Sequence, residues 1–210
     1  MTPTTRSLTA YEARSIIMAC ESGTLLPEFT VYNVVIDLLA VDDDSLRGYE
    51  IKASTDRVND SRVHAQLLAY SRVMERLTSV VAPKFLDHCE AELPLWVGVT
   101  SIEDDHLLPL REARPNPDVD VRFLAKMLWR PEAVRALQSM GVSCPRPGDY
   151  SARRYLCAEV AELMPEEELR RYVRKCITER KWSDATVKGK PRTVAVNPSL
   201  TPTTQGGTGV

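Results

Sequence analysis

The stretch VYNVVIDLLAVDDDSLRGYEIKAS, residues 31 to 54, decides the fold. Residues 31 to 41 are β-branched and mostly apolar, the composition of a buried strand. DDDSLRG, residues 42 to 48, is turn chemistry. Tyr49, Ile51 and Ala53 then alternate with Glu50, Lys52 and Ser54, and that period of two predicts a second strand with one apolar and one polar face. Together the runs predict an antiparallel hairpin. Its polar face sets Glu50 and Lys52 side by side. Asp37 is the only charge in the first run. A carboxylate in a buried strand must be neutralised, paired or bound to a cation, because leaving it bare in an apolar setting is costly.

Register decides whether these three charges meet. If Val41 opposes Gly48, Asp37 opposes Lys52. Any pairing whose residue numbers sum to an odd value puts Asp37 on the face of Glu50 and Lys52, and an even sum turns it away. Asp37, Glu50 and the carbonyl of Ile51 then offer hard oxygens to Mg²⁺ or Mn²⁺. A cation so held generates hydroxide from water and stabilises charge on a phosphate. A lysine beside it orients or deprotonates the attacking water, or offsets charge in the transition state. Phosphodiester hydrolysis calls for Asp, Glu and Lys at this spacing.

Working outward, residues 8 to 20 predict a helix with Thr9 as cap and Glu12 closing a capping box. After the hairpin, Asp60 or Ser61 opens a helix expected to reach Leu77, with Val63, Leu67, Tyr70, Met74 and Leu77 as its apolar stripe. Strands are expected at 78 to 83 and 93 to 102, with a short helix at 84 to 93 between them. This order predicts a mixed α/β sheet flanked by helices. A Pro-rich link at 111 to 120 leads to helices at 120 to 129, 131 to 140, 151 to 164 and 165 to 181. From about residue 183 the composition is that of a disordered tail. The division expected is a core over 1–110, a helical part over 111–182 and a tail over 183–210.

Composition narrows the class. In 210 residues the chain has 43% hydrophobic and 27% charged residues, ordinary for a globular protein. No apolar run approaches the roughly 18 residues of a membrane span, and the N-terminus lacks the pattern of a signal peptide. A cytoplasmic protein without membrane contact is expected. The five cysteines are scattered, with no metal-ligand spacing, and read as reduced core thiols. The net charge of −2 argues against a general nucleic-acid coat. It hides an acidic first part and a basic segment from residue 151, where Arg153, Arg154, Arg170, Arg171, Arg174 and Lys175 suggest a surface for a polyanion.

VIDLLAV followed after a short turn by GYEIKAS resembles the core motif of the PD-(D/E)xK nuclease superfamily, whose fold is that of many restriction endonucleases. RGYEIKASTDRV, QLLAYSRV, PLWVGV and LAKMLWRPEAVRAL are similar to an uncharacterised bacterial and phage family within it, over about residues 30 to 182. The proline of the superfamily name is replaced here by Ile36. The resemblance implies a restriction-endonuclease-like core and a Mg²⁺- or Mn²⁺-dependent nuclease acting on DNA. It makes Asp37 and Glu50 the metal carboxylates, Lys52 the catalytic lysine, Glu12 a further ligand from the preceding helix, and Gln66 and Tyr70 site-facing residues of the following helix. Gln66 would help position the water. Ser54, Arg57, Arg62 and Tyr70 are expected to contact the substrate. The alternative is a catalytically inactive nuclease fold that binds nucleic acid or a partner protein, such as a phage-encoded factor acting on a host protein. A homodimer is also compatible with the sequence.

Overall fold

The computed structural model describes residues 8–31, 34–53, 60–103, 106–143 and 152–182. Helix α1, Ala10–Cys20, begins at the expected capping box: Thr9 accepts the Glu12 N–H and Glu12 accepts the Thr9 N–H. A six-stranded sheet follows, in the order β1 (Thr24–Val31), β2 (Val34–Val41), β3 (Leu46–Lys52), β4 (Arg76–Val81), β5 (Gly98–Glu103) and β6 (His106–Arg111). The β1/β2, β2/β3 and β5/β6 pairs are antiparallel, and β3/β4 and β4/β5 are parallel. Helix α2 (Asp60–Ser71) makes the crossover from β3 to β4, and α3 (Leu86–Glu92) lies between β4 and β5. The chain is thus an α/β protein with a mixed sheet.

Two strands lie outside the sequence expectation, and each contains a proline. Pro27 sits in β1 and Pro109 in β6, the two edges of the sheet. An edge strand tolerates a residue with no N–H to donate, so the proline that argues against a strand in the sequence marks an edge in the fold. The expected strand at 31 to 41 is therefore β2 preceded by the last residue of β1, with Val31 paired to Val34. The expected strand at 93 to 102 starts later, at Gly98.

Helix α2 ends at Ser71, short of the expected Leu77. The Asn116 side chain takes the carbonyl of the helix's last residue, Ser71, at 2.6 Å and that of Met74 in the following turn at 2.7 Å. Met74 and Leu77 still reach the core, from the turn and from β4. Asn116 belongs to the Pro-rich stretch expected as a link. Backbone bonds from Arg114 to Trp96, from Asn116 to Glu75 and from Asp120 to Arg72 fasten that stretch to the sheet side of the molecule.

The sheet is covered on both faces. Leu38, Ala40, Tyr49, Ile51, Val80 and Ile102 meet Ala13 and Ile17 of α1. On the other face Ile36, Leu39, Val41 and Leu46 join Tyr70 and Met74 in one cluster. That cluster continues into α4 (Val121–Ala125), α5 (Arg130–Ser139), α6 (Ala152–Leu163) and α7 (Glu166–Glu179), through Leu124, Leu137, Leu156, Leu169 and Ile177. Each such side chain taken fully from water contributes roughly 1.5–3 kcal/mol. The change of secondary structure near residue 111 is crossed by a continuous core. Among the described residues no helix is long and apolar enough to cross a membrane.

Candidate functional site

The β2/β3 hairpin sets the geometry. Val41 pairs with Leu46 and Leu38 with Tyr49. The register is odd, as the charge argument needs, but shifted from the trial pairing of Val41 with Gly48. The shift arises because Leu46 and Arg47 belong to the strand and the turn is confined to residues 42–45. There the Asp42 carboxylate accepts the N–H groups of Asp44 at 2.9 Å and Ser45 at 2.8 Å. In this register Asp37 falls across from Glu50 rather than Lys52.

The ladder ends at Leu38–Tyr49, and the Asp37 side chain takes over from the backbone. Its Oδ2 accepts the N–H of Ile51 at 2.7 Å. Within an extended strand the N–H and C=O of one residue point to the same edge, so the Ile51 carbonyl also faces β2 beside Asp37. A break in alternation puts Asp37 there. Ile36 and Leu39 share one face of the sheet, whereas Leu38 and Ala40 lie on the other. The phase therefore slips by one residue at Asp37 and turns its carboxylate toward β3. Opposite lies Glu28, between the Pro27–Leu38 and Phe29–Ile36 pairs, with a left-handed φ of 52°. A non-glycine residue in that region is strained, and such kinks in edge strands re-aim side chains next to them.

Glu50 and Lys52 project toward α2. Gly48, two residues before, keeps that face open to close approach: a Cβ there would lie 2.5 Å from Ile36 Cδ1 and 3.2 Å from Met74 Cγ. Lys52 Nζ donates to Glu50 Oε1 at 2.5 Å. Tyr70, buried in α2, points its hydroxyl at the Val35 carbonyl, 2.7 Å away, and at Glu50 Oε2, 3.0 Å away. Gln66, one turn earlier, donates Nε2 to the Tyr70 hydroxyl at 3.4 Å. Burial, with the Asp37 carboxylate alongside, pushes the Glu50 carboxyl above its ordinary value despite Lys52 and Tyr70. Burial likewise raises Tyr70, and Glu50 adds to it.

A small cation fits this donor set on two grounds. Burial and the neighbouring Asp37 carboxylate raise Glu50 even with Lys52 bonded to it, the mark of two carboxylates close together in a largely buried place. Among the described residues Gln66 Oε1 is buried without a hydrogen-bond partner, and an acceptor of this kind calls for a water or the hydration shell of an ion. Asp37, Glu50 and the Ile51 carbonyl would be the protein oxygens that hold it.

A family model described as bacteriophage P4 protein cII matches residues 13–200. The chain belongs to the bacteriophage P4 cII protein family. No curated protein matches it. A solved structure, the SPO1766 protein of unknown function from Silicibacter pomeroyi, superposes with a TM-score of 0.40 at 16% identity, covering 61% of this chain and 88% of that one.

The other expected site residues of this cII-family chain distribute as follows. Glu12 is held by its capping box, on the helix that covers the opposite face of the sheet. Among the described residues no three His, Cys, Asp or Glu side chains come together as a metal-holding group, so Glu12 does not join Asp37 and Glu50. Tyr70 is 1% exposed and stands behind Glu50, where it orients the carboxylate instead of meeting a substrate. Ser54 and Arg57 lie outside the described residues, as does the side chain of Arg62.

Of the basic residues expected at the surface from residue 151, Arg170 and Arg174 of α7 turn inward, while Arg171 and Lys175 on the same helix and Arg153 and Arg154 on α6 stay exposed. Arg174 is buried and donates to both oxygens of Glu75, at 2.7 and 2.9 Å, and Arg170 bonds Glu75 and Glu166. Glu75 also accepts the Leu46 N–H at 2.7 Å, so these arginines fasten α7 to the start of β3. Sequence reasoning passed over Glu75 and Glu28. Glu75 carries no local signal; for Glu28, a proline just before it in an apolar run was the available hint.

Proposed function

We propose that this protein is a metal-dependent nuclease of the PD-(D/E)xK type that hydrolyses phosphodiester bonds in DNA. The observation that carries this reading is the meeting of Asp37 and Glu50 where the β2/β3 ladder ends, with Lys52 bonded to Glu50. Asp37 and Glu50 would hold Mg²⁺ or Mn²⁺ with the carbonyl of Ile51. When bound, the cation would supply a water of lowered pKa and a positive charge for the phosphate.

The chain's own residues have separate tasks. Ile51 N–H fixes the Asp37 carboxylate, and Tyr70 fixes one oxygen of Glu50. Lys52, on the other Glu50 oxygen, is placed to donate to the attacking water or to charge building on the phosphoryl oxygens. Gln66 offers its partnerless Oε1 as an acceptor that orients the water. In the reaction the water oxygen bonds to phosphorus, the ester P–O bond breaks, and the water proton ends on the leaving oxygen.

The test is cleavage of labelled single-stranded, double-stranded and branched DNA with Mg²⁺ or Mn²⁺. Wild type is expected to cut, Asp37→Asn to be inactive, and Lys52→Ala to fall by about 10²–10⁴-fold, the usual worth of a positioned acid–base group. Cleavage that persists in Asp37→Asn, or a wild type that cuts nothing and binds neither cation, would overturn the reading.

A further inference from the structure

Once Arg170, Arg174 and Arg180 are set aside as internal partners of Glu75 and Glu132, a different group of cations stands out. Arg72, just past the end of α2, and Lys126, after α4, share one ring: the Arg72 guanidinium lies 4.3 Å and the Lys126 ammonium 4.1 Å from the Phe123 ring centroid. Arg153 of α6 joins them by donating to the Lys126 carbonyl at 2.6 Å and the Leu128 carbonyl at 3.0 Å. Next along α6, Arg154 stacks 4.9 Å from the Tyr155 centroid and donates to its hydroxyl at 3.0 Å. Arg72, Arg153, Arg154 and Tyr155 are exposed. Among the described residues, none of these four cations has a carboxylate in ion-pair range, unlike Arg14, Arg47, Arg170, Arg174 and Arg180. Glu75, three residues after Arg72, is taken by Arg170 and Arg174, and Asp120, six before Lys126, turns its carboxylate to the Arg122 N–H as the cap of α4.

Three of these cations ordered by two aromatic rings, with a fourth held by carbonyls and none of them ion-paired among the described residues, are unexpected on a chain of net charge −2. Like charges this close repel one another, and a polyanion relieves that repulsion while releasing its own counterions. The rings fix the cations in place, so little side-chain entropy is lost when phosphates arrive. We infer that the surface formed by Arg72, Phe123, Lys126, Arg153, Arg154 and Tyr155 is a docking face for the phosphate backbone of DNA. The choice of DNA among polyanions rests on the nuclease reading; the surface itself does not. Of the basic surface expected from residue 151 onward it keeps Arg153 and Arg154 of α6 and joins them to Arg72 and Lys126 instead of to α7.

The test is anisotropy of labelled DNA oligonucleotides in EDTA, where cleavage cannot intervene, at 50 to 200 mM salt. Arg72→Gln/Lys126→Gln and Arg72→Glu/Arg154→Glu are compared with wild type and with Arg171→Glu/Lys175→Glu on the exposed face of α7, each checked by thermal melting. The face predicts about tenfold or greater loss for the first two, with the salt slope shallower by about one per phosphate contact removed, and no change for the α7 pair. Equal losses in all three would reduce the effect to bulk charge and overturn the proposal. So would unchanged affinity in the first two, no DNA binding by wild type, or patch-dependent binding of RNA without DNA. In parallel, without EDTA, wild type and Asp37→Asn are assayed for cleavage with Mg²⁺ or Mn²⁺: patch-dependent binding with no cleavage by wild type would sink the nuclease reading and leave this one standing.

Discussion

Tyr70 has one hydroxyl proton and two acceptors within reach, the Val35 carbonyl and Glu50 Oε2. That one proton is shared between them, and burial with the neighbouring Asp37 raises the proton affinity of Glu50 beside it. Tyr70 thus couples the start of β2 to the acid on β3. Tyr70→Phe strips a donor from two largely buried acceptors and is expected to cost about 1–3 kcal/mol, read as a lower urea midpoint with unchanged slope. An unchanged midpoint would mean that water replaces the hydroxyl and that Tyr70 fastens nothing. At this scale the sequence was informative. The lone charge of Asp37 in an apolar run, and the step of two between Glu50 and Lys52, required only an odd register to bring them together, and the register is odd. The slip of phase at Asp37 was not legible, because it depends on the backbone of Glu28 in a neighbouring strand.

Elements carried their lengths less clearly than their types. The stripe Tyr70, Met74, Leu77 fits a helix by spacing, yet Asn116 closes α2 at Ser71 from far along the chain. No local pattern announces a cap that arrives from the next segment. The edge strands β1 and β6 were hidden by Pro27 and Pro109, which are tolerated only because nothing pairs beyond them in the sheet. The kink in β1 gives a direct test of the strain argument. A left-handed residue with a Cβ costs about 1–2 kcal/mol, and glycine does not incur that cost. Glu28→Gly also removes the Arg14 ion pair, 3.4 Å long with Glu28 43% exposed, which is worth under about 1 kcal/mol. The variant is expected to be at least as stable as wild type, by up to about 1 kcal/mol, whereas Glu28→Val should destabilise through its β-branched side chain. Thermal melting of the two decides: a destabilised glycine variant together with a neutral valine one would show that the φ of Glu28 is not the source of strain.

At the scale of the molecule, one part-buried and one buried set of ion pairs bind the C-terminal helices to the rest. Glu75 gathers Arg170 and Arg174 from α7 onto the first residue of β3. Glu132, at the start of α5, receives Arg180 Nε at 2.8 Å and Nη2 at 2.7 Å just beyond the end of α7. Arg180 also lies 4.5 Å from the Trp129 centroid, and Trp129 meets Trp182 edge-on. A count of charges in the sequence registers these arginines as a basic surface; only the fold assigns them inward partners. Burial alone pushes the Glu132 carboxyl upward, but the Arg180 bonds and the Trp129 N–H outweigh it and hold it below its ordinary value of 4.5. A carboxyl whose folded value is lowered contributes stability that is complete above its unfolded value and disappears as the pH falls through the folded one. Wild type is therefore expected to lose stability more steeply than Glu132→Gln as the pH drops below about 4.5, the ordinary value the unfolded chain regains. Arg180→Met leaves a buried carboxylate without its cation, and at neutral pH about 3–5 kcal/mol should be lost. Replacing both partners, in Arg180→Met/Glu132→Met, removes the stranded charge and should restore most of that. Urea unfolding of the single and double variants measures the difference. A double variant as unstable as the single would show that the loss comes from the rings around Arg180 and not from the charge it neutralises.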